Sequence, residues 1–292
     1  MVTLTNNNVL LSILCQLWPD IPAEYWEIRP LTGLTQGSYC ITTRHRDSVH
    51  QMVGRTQSSY SEMLGVDRQR ENRILQRLSA IGIAPQVVAM HETWLLLEWF
   101  TGTQTDADTL GQPVLQQALA QILAMLHRHS LLGYPLQLKK QIARHWQQLD
   151  RKRLSPRWLR LHKFFMATKM PATLKMAPAH MDVHPDNLLM TEEGLKLIDW
   201  EYAADVDIGF SLAVLFQGNQ WNKTQQQTFL DYYCTQSSGY SDIPLLQQQI
   251  QRWQPWVNYM MLMWYEVRWQ QTKEPQFLLL AQPLRRAFKL SS

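Results

Sequence analysis

Cysteine is nearly absent from this chain. Cys15, Cys40 and Cys234 are the only three in 292 residues; they are far apart and form no CxxC pair. That excludes a disulfide framework and suits a reducing compartment. Long apolar runs are missing too. Nowhere do about 18 apolar residues follow one another, which excludes an ordinary transmembrane helix. The one N-terminal apolar run, Val9 to Cys15, has no preceding positive charge and no small-residue cleavage site, so it is not read as a signal peptide. Charge is thin as well: 18% of residues carry it, and the net +4 comes from scattered Lys and Arg, a solvated surface rather than a nucleic-acid footprint. What remains is 45% apolar content in a chain long enough for one large domain or two lobes. The expectation is a soluble, cytoplasmic protein with no nucleic acid, membrane or obligate protein as partner.

Along the chain, the first hundred residues read as strands interrupted by one helix. Gly33 to Ser38 is a turn, Tyr39 to Thr43 and Ser48 to Val53 are strand candidates, and Thr93 to Phe100 is a buried strand. Between them Asp67 caps a helix running to about Ala80, with Ile74, Leu75 and Leu78 on its apolar face. Beyond Thr101 a polar connector leads to a helix over Leu115 to His129, and the rest is largely helical except near residues 180–200. The reading is an α+β, two-lobed plan: a strand-rich lobe over residues 1–100 and a helix-rich lobe over 101–292.

Chemistry concentrates in His180-Met181-Asp182-Val183-His184-Pro185-Asp186-Asn187, followed by Leu195-Lys196-Leu197-Ile198-Asp199-Trp200-Glu201. Two short strands flank the turn-like Thr191-Glu192-Glu193-Gly194. Closing that hairpin pairs Met190 with Leu195 and brings Asn187 beside Ile198 and Asp199. One amide oxygen and one carboxylate then meet at its open end, a hard-oxygen pair suited to Mg²⁺ bound to phosphate. Asp182 lies on the loop entering the same end, where a second carboxylate can accept the proton of an attacking hydroxyl. His180-x-Asp182-x-x-x-x-Asn187 and a later Asp199 reproduce the order and spacing of the protein-kinase catalytic motifs.

The variant H-x-D-x-H-x-x-N, with an aromatic after the second Asp, resembles the aminoglycoside phosphotransferase and choline kinase family of the protein-kinase-like fold. Within it, His180 to His184, Leu195 to Ala203, Arg252 to Trp256 and Trp264 to Trp269 are similar to the bacterial thiamine-kinase branch. The resemblance implies ATP and Mg²⁺ as cofactors and a small-molecule alcohol, thiamine, as acceptor; choline, ethanolamine and aminoglycosides are the alternatives. It implies Asp182 as catalytic base, His184 as shaper of the catalytic loop, and Asn187 and Asp199 as metal ligands. His180 reads as structural, and Asp207 as the cap of the next helix. Gly33 and Gly37 stand where a phosphate-covering loop belongs, in a degraded G-x-G-x-x-G that also reads as a plain hairpin turn.

The family needs a strand cation paired with a helix Glu, and Glu71 is placed for the latter. Aligned by spacing, the cation position falls on Gln51, which has no charge; Arg55 is the nearest substitute if the strand carries a bulge. Glu98 to Phe100 resembles the adenine-binding hinge. Trp200, Glu201, Trp256, Trp264, Tyr265, Glu266 and Trp269 are expected to face the acceptor, although Trp253, Trp256, Met260, Met263 and Val267 also fall at a helical spacing that reads as core. A flat cation such as thiamine suits aromatic stacking beside a carboxylate. Gln51 motivates one reading of another class, a kinase-like binding module with weakened catalysis.

Overall fold

The computed structural model describes residues 2–31, 37–57, 59–236 and 240–290. A first helix α1 (Val2–Leu17) precedes three strands, β1 (Trp26–Pro30), β2 (Ser38–His45) and β3 (Ser48–Thr56). Helices α2 (Ser59–Leu64) and α3 (Arg68–Leu78) follow, then β4 (Val87–His91) and β5 (Trp94–Glu98). The five strands form one antiparallel sheet in the order β1-β2-β3-β5-β4. Its alternation sorts residues to two faces. Ile41, Met52, Trp94 and Leu96 turn to α1 and bury Leu10, Ile13 and Leu14, each worth about 1.5–3 kcal/mol. Leu95 and Leu97 turn the other way, onto Ile74, Leu75 and Leu78 of α3. Gly54 in β3 leaves room for its neighbours, since a Cβ there would stand 2.7 Å from Ile41 Cδ1 and 3.2 Å from the Trp94 ring, and those side chains would have to shift.

The expected single helix of this lobe is α3, capped by Asp67, whose carboxylate accepts from Gln69 N and Arg70 N. The expectation of one helix is corrected by α1 and α2. The α1 sequence carries an Asn6-Asn7-Asn8 tract and no charge in its end turns, so neither propensity nor capping announces it; its apolar stripe against the sheet makes it helical.

The second lobe begins with β6 (Thr103–Gln104) and α4 (Ala107–Leu110), then α5 (Pro113–Arg128), α6 (Leu138–Gln148) and α7 (Pro156–Ala167). The strands β7 (Met176–Ala179), β8 (Leu188–Thr191), β9 (Gly194–Leu197) and β10 (Ala204–Asp207) come next. Four helices close the chain: α8 (Ile208–Gly218), α9 (Lys223–Thr235), α10 (Ile243–Thr272) and α11 (Pro275–Ala287). The lobe's strands make two small sheets, β6-β8-β9 and β7-β10. Asp207 caps α8 by accepting from Gly209 N, as its position in the sequence indicates. Among the described residues no helix is long and apolar enough to cross a membrane. The architecture is α+β, a five-stranded sheet with flanking helices followed by a mainly helical part.

Candidate active site

The β8–β9 hairpin forms as its sequence dictates, with Met190 opposite Leu195 and Gly194 in the positive-φ position of the turn. At its open end Ile198 N donates to Asn187 O at 3.0 Å, and the chain turns through Asp199 in the left-handed region, φ 66°. Met181 does the same at φ 71° just before Asp182. Two non-glycine residues in this region, one just before Asp182 and the other Asp199 itself, mark backbone held there by its surroundings.

His180 supplies part of that hold. It is buried, its Nδ1 accepts from Asp182 N at 3.3 Å, and its Nε2 therefore carries the proton and donates to Ile198 O at 2.9 Å. Burial lowers its pKa, which keeps the ring neutral as that arrangement needs. The ring thus ties the Asp182 loop to the Asp199 turn.

Asp182 presents its carboxylate to the cleft with 39% of the side chain exposed. Asn187 Nδ2 donates to Asp182 O at 2.9 Å and to Asp182 Oδ2 at 3.2 Å. With its nitrogen turned to Asp182, Asn187 keeps its amide oxygen as an acceptor. His184 Nε2 lies 3.5 Å from Asp182 Oδ2, and Nδ1 lies 3.7 Å from Asp186 Oδ2. Burial pulls the His184 pKa down, but the bond to Asp182 and the Asp182 and Asp186 charges outweigh it and the pKa is raised.

On the opposite wall, Arg55 at the end of β3 gathers three carboxylates. It bonds Glu71 Oε1 at 2.6 Å, Asp199 Oδ1 at 2.7 Å and Glu201 Oε2 at 2.6 Å. Arg68, on the first turn of α3, bonds Glu71 Oε2 at 2.6 Å and Glu201 Oε2 at 2.9 Å. Burial works against the Arg55 charge, but Asp199, Glu71 and Glu201 raise its pKa, so it stays a cation. Burial likewise works against the Asp199 anion, and the Arg55 guanidinium overrides it and holds that carboxyl below the usual range. Glu201 moves the other way, raised first by burial and then by Asp199.

These groups face a cleft of about 1970 Å³ between the lobes. Arg55, Glu98, Phe100, Asp182, His184, Asn187, Asp199, Glu201, Trp264 and Tyr265 all line it, while Glu71 sits behind Arg55. At the hinge, Glu98 N donates to Gln86 O, and its carboxylate accepts from Gln86 N, which leaves backbone and the Trp99 and Phe100 rings to the cleft.

Several sequence expectations are corrected here. Gln51 lies away from the cleft: it is exposed, opposite Thr42, and absent from the cleft lining. It shares a sheet face with Arg55 but lies four residues, about 13 Å, further along β3. No bulge is needed, because β3 pairs in unbroken register with β2 from Ser48 to Arg55. Trp200 is core, its Nε1 bonded to Leu197 O and its ring against His180. Glu201 lines the cleft but is engaged by Arg55 and Arg68. Trp256 is buried against Phe165, and Trp269 has Arg153 and Lys273 over its ring, each 4.2 Å from the ring centre. Glu266 is buried in ion pairs with Arg285 and Arg153 rather than held free for a ligand. Gly37 has φ 107° and sits against Thr56 where β2 begins; Gly33 lies outside the described residues.

The α10 helix explains the sorting of its aromatics. Met260, Met261, Trp264 and Tyr265 form one stripe at i and i+4 that lines the cleft, whereas Trp256, Met263 and Val267 point into the core. Tyr202, whose hydroxyl accepts from Trp264 Nε1 at 3.2 Å, joins that wall, and sequence reasoning missed its place there. Arg68 was missed too, although an Arg three residues before Glu71 on one helix face was a usable signal.

Comparison with known proteins agrees. Residues 45–247 match the phosphotransferase enzyme family. A thiamine kinase of Salmonella typhi is 36% identical over 216 residues, covering 73% of each chain. The choline kinase LicA from Streptococcus pneumoniae superposes with a TM-score of 0.76 at 16% identity, covering 97% of this chain and 98% of that one. LicA in complex with AMP gives 0.72 at 17% identity, covering 95% and 97%. At such identity the two structures establish the shared fold, while the sequence matches reach further: this chain belongs to the phosphotransferase enzyme family.

Proposed function

We propose that this protein transfers the γ-phosphoryl group of ATP to the primary hydroxyl of thiamine, giving thiamine monophosphate and ADP in the cytoplasm. The observation that carries the chemistry is the meeting of Asp182, Asn187 and Asp199 at one end of the cleft with Arg55 facing them. The acceptor is carried by the 36% identity to a thiamine kinase. In this reading residues 1–100 bind the nucleotide, and residues 101–292 carry the catalytic groups and the acceptor site. The AMP complex of a protein with the same fold supports a nucleotide in the cleft.

An adenine ring would enter beside the hinge, between the apolar Val53 and Leu97 above and Ile198 below, all cleft-lining residues. Arg55 would face the phosphates, aimed by Glu71. The donor set at the other end is Asn187 amide oxygen and Asp199 carboxylate, hard oxygens that fit Mg²⁺ completed by phosphate and water. When bound, that ion neutralises phosphate charge. Asp182 takes the proton of the acceptor hydroxyl as its oxygen attacks the γ-phosphorus. The bond from that phosphorus to the β,γ-bridging oxygen breaks, and ADP leaves with the electron pair. His184, whose Nε2 lies 3.5 Å from Asp182 Oδ2 and 3.1 Å from Asn187 Nδ2, orients both groups.

The acceptor wall is Tyr202, Met260, Met261, Trp264 and Tyr265. Two flat rings and a positive charge suit stacking and cation–π contact there, about 0.5–2 kcal/mol for a good pair. Choline would use the same wall, so the identity to a thiamine kinase decides between them. With Arg55 present in the clamp, the reason for a weakened binding module falls away. The experiment is ADP release with Mg-ATP against thiamine, choline, ethanolamine, kanamycin and no acceptor. Thiamine-dependent release is expected; release with another acceptor overturns the thiamine assignment.

A further inference from the structure

Arg68 is an arginine in an unfavourable place. Its side chain is 1% exposed, and it stands at the first position of α3, where the helix dipole disfavours a cation. Sharing a helix face with Glu71 at i+3 would contribute only about 0.2–0.5 kcal/mol on a surface. Here the pairing is buried, and it closes a ring. Arg55 and Arg68 are bridged on one side by Glu71, which gives one oxygen to each, and on the other by Glu201, whose Oε2 serves both. Among the described residues, Asp199 is ion-paired to this ring through Arg55 alone.

Charge counting shows what the second arginine does. Glu71, Asp199 and Glu201 set three carboxylates against two guanidinium groups. Without Arg68, all three would draw on Arg55: Glu71 would turn its Oε2 toward it, and Glu201 Oε2, now shared, would fall to Arg55 alone. The Arg55 charge would then be compensated from behind and its guanidinium drawn toward the two glutamates. We infer that Arg68 is a positioning residue which, by sharing Glu71 and Glu201, keeps Arg55 aimed into the cleft with its charge available to the phosphates of a bound nucleotide.

Arg68 also reaches the second lobe through Glu201, so positioning has to be separated from lobe fastening by a tie that lies outside the ring. Arg70 Nη2 donates to Ala203 O at 2.6 Å, and Arg77 Nη1 donates to Leu132 O, both running from α3 to the second lobe. The Arg77 tie touches no member of the ring, so it separates positioning from simple stapling.

The inference rests on the proposed role of Arg55 toward nucleotide, and its test reads nucleotide binding without any acceptor. The Kd for Mg-ADP is measured by calorimetry on the full chain, its Arg68→Met and Arg68→Lys variants, and Arg77→Met, with melting temperature recorded for each. Arg68→Met is expected to weaken nucleotide about tenfold, the loss of one charge-assisted contact's worth of aim. KM for ATP should rise in parallel while KM for the acceptor stays within about twofold. Arg68→Lys restores charge but cannot bridge two carboxylates as a planar fork does, so it should recover only part of the affinity. Arg77→Met should melt earlier yet bind nucleotide like the wild type. If Arg68→Met does not fold, Arg68→Lys decides, and wild-type affinity in it overturns the inference. So does weakening in Arg77→Met equal to that in the Arg68 variants. A wild type that binds Mg-ADP but leaves thiamine untouched overturns the acceptor assignment and leaves Arg68 in its role; a wild type that binds no nucleotide overturns both.

Discussion

Replacing Arg55 with methionine removes the most connected group of the site while keeping much of its apolar stem. The guanidinium now holds Glu71, Asp199 and Glu201 at 2.6, 2.7 and 2.6 Å, and the Glu71 and Glu201 side chains are no more than 1% exposed. Arg68 would remain for two of these carboxylates, and Asp199 would lose the cation that holds its pKa down. Breaking a buried pair from one side costs about 3–5 kcal/mol. Some of that is recovered, because burial and the Asp199 charge already raise the Glu201 pKa, so that without Arg55 its carboxyl can take up a proton. A net loss of about 3 kcal/mol, at roughly 2–4 °C per kcal/mol for a chain near this size, lowers the melting temperature by about 6–12 °C. Functionally, removing a fixed positive group from a phosphoryl-transfer site should lower turnover on the order of 10²–10³. The stabilisation by Mg-ADP in a thermal-shift titration should fall with it. Gln51→Ala is the control, since Gln51 is exposed and off the cleft, and it should change neither quantity. Full turnover in Arg55→Met, or a loss in Gln51→Ala matching it, would refute the assignment of the clamp to Arg55.

Asp182→Asn keeps the shape of the site and removes its proton acceptor, so nucleotide binding should persist while turnover falls by about 10²–10⁴; undiminished turnover takes Asp182 out of its role. Trp264→Leu should raise the thiamine KM several-fold at little cost in stability, whereas Trp256→Leu, a core change, should cost on the order of 2–3 kcal/mol and leave that KM alone. The opposite pattern in steady-state kinetics and melting would show the two faces of α10 to be misassigned. His127 is held neutral, with its pKa pushed down to about 3, first by burial and then by the Lys175 charge, and it bonds Tyr233 Oη and Ser211 Oγ. In the unfolded chain it titrates near 6.5, so between about 6.5 and 3 only the unfolded state takes the proton. Its contribution is therefore intact above about pH 6.5 and lost as pH falls, up to on the order of 5 kcal/mol. His127→Gln should flatten the stability profile in that window, and an unchanged slope by chemical denaturation at each pH would refute this.

The catalytic hairpin was legible because its constraints are local. Four turn residues ending in Gly194 fix the register of β8 on β9, and that register alone brings Asn187 to the Asp199 turn. The partner of Glu71 was not legible in the same way. Counting from Gly37 selected Gln51, and only the length of β3, which runs to Thr56, and its place between β2 and β5 show that Arg55 ends at the cleft. The α10 aromatics failed for a related reason. A helix buried on one side and facing a cleft on the other is apolar on both, so composition cannot say whether Trp256 or Trp264 meets a ligand. What separates them is the angle around the axis relative to α7, whose Phe165 takes up Trp256, and that angle is set by packing between segments ninety residues apart. Glu266 and Glu201 carry the same lesson in charge. Each was a plausible carboxylate for a cationic ligand until distant arginines, Arg285 and Arg153 for one, Arg55 and Arg68 for the other, were found to occupy it. A buried acid in this fold is thus identified less by its own position than by which arginine reaches it first. In the proposed function, recognition of a cationic acceptor then falls to the aromatic and methionine wall that lines the cleft with Asp182.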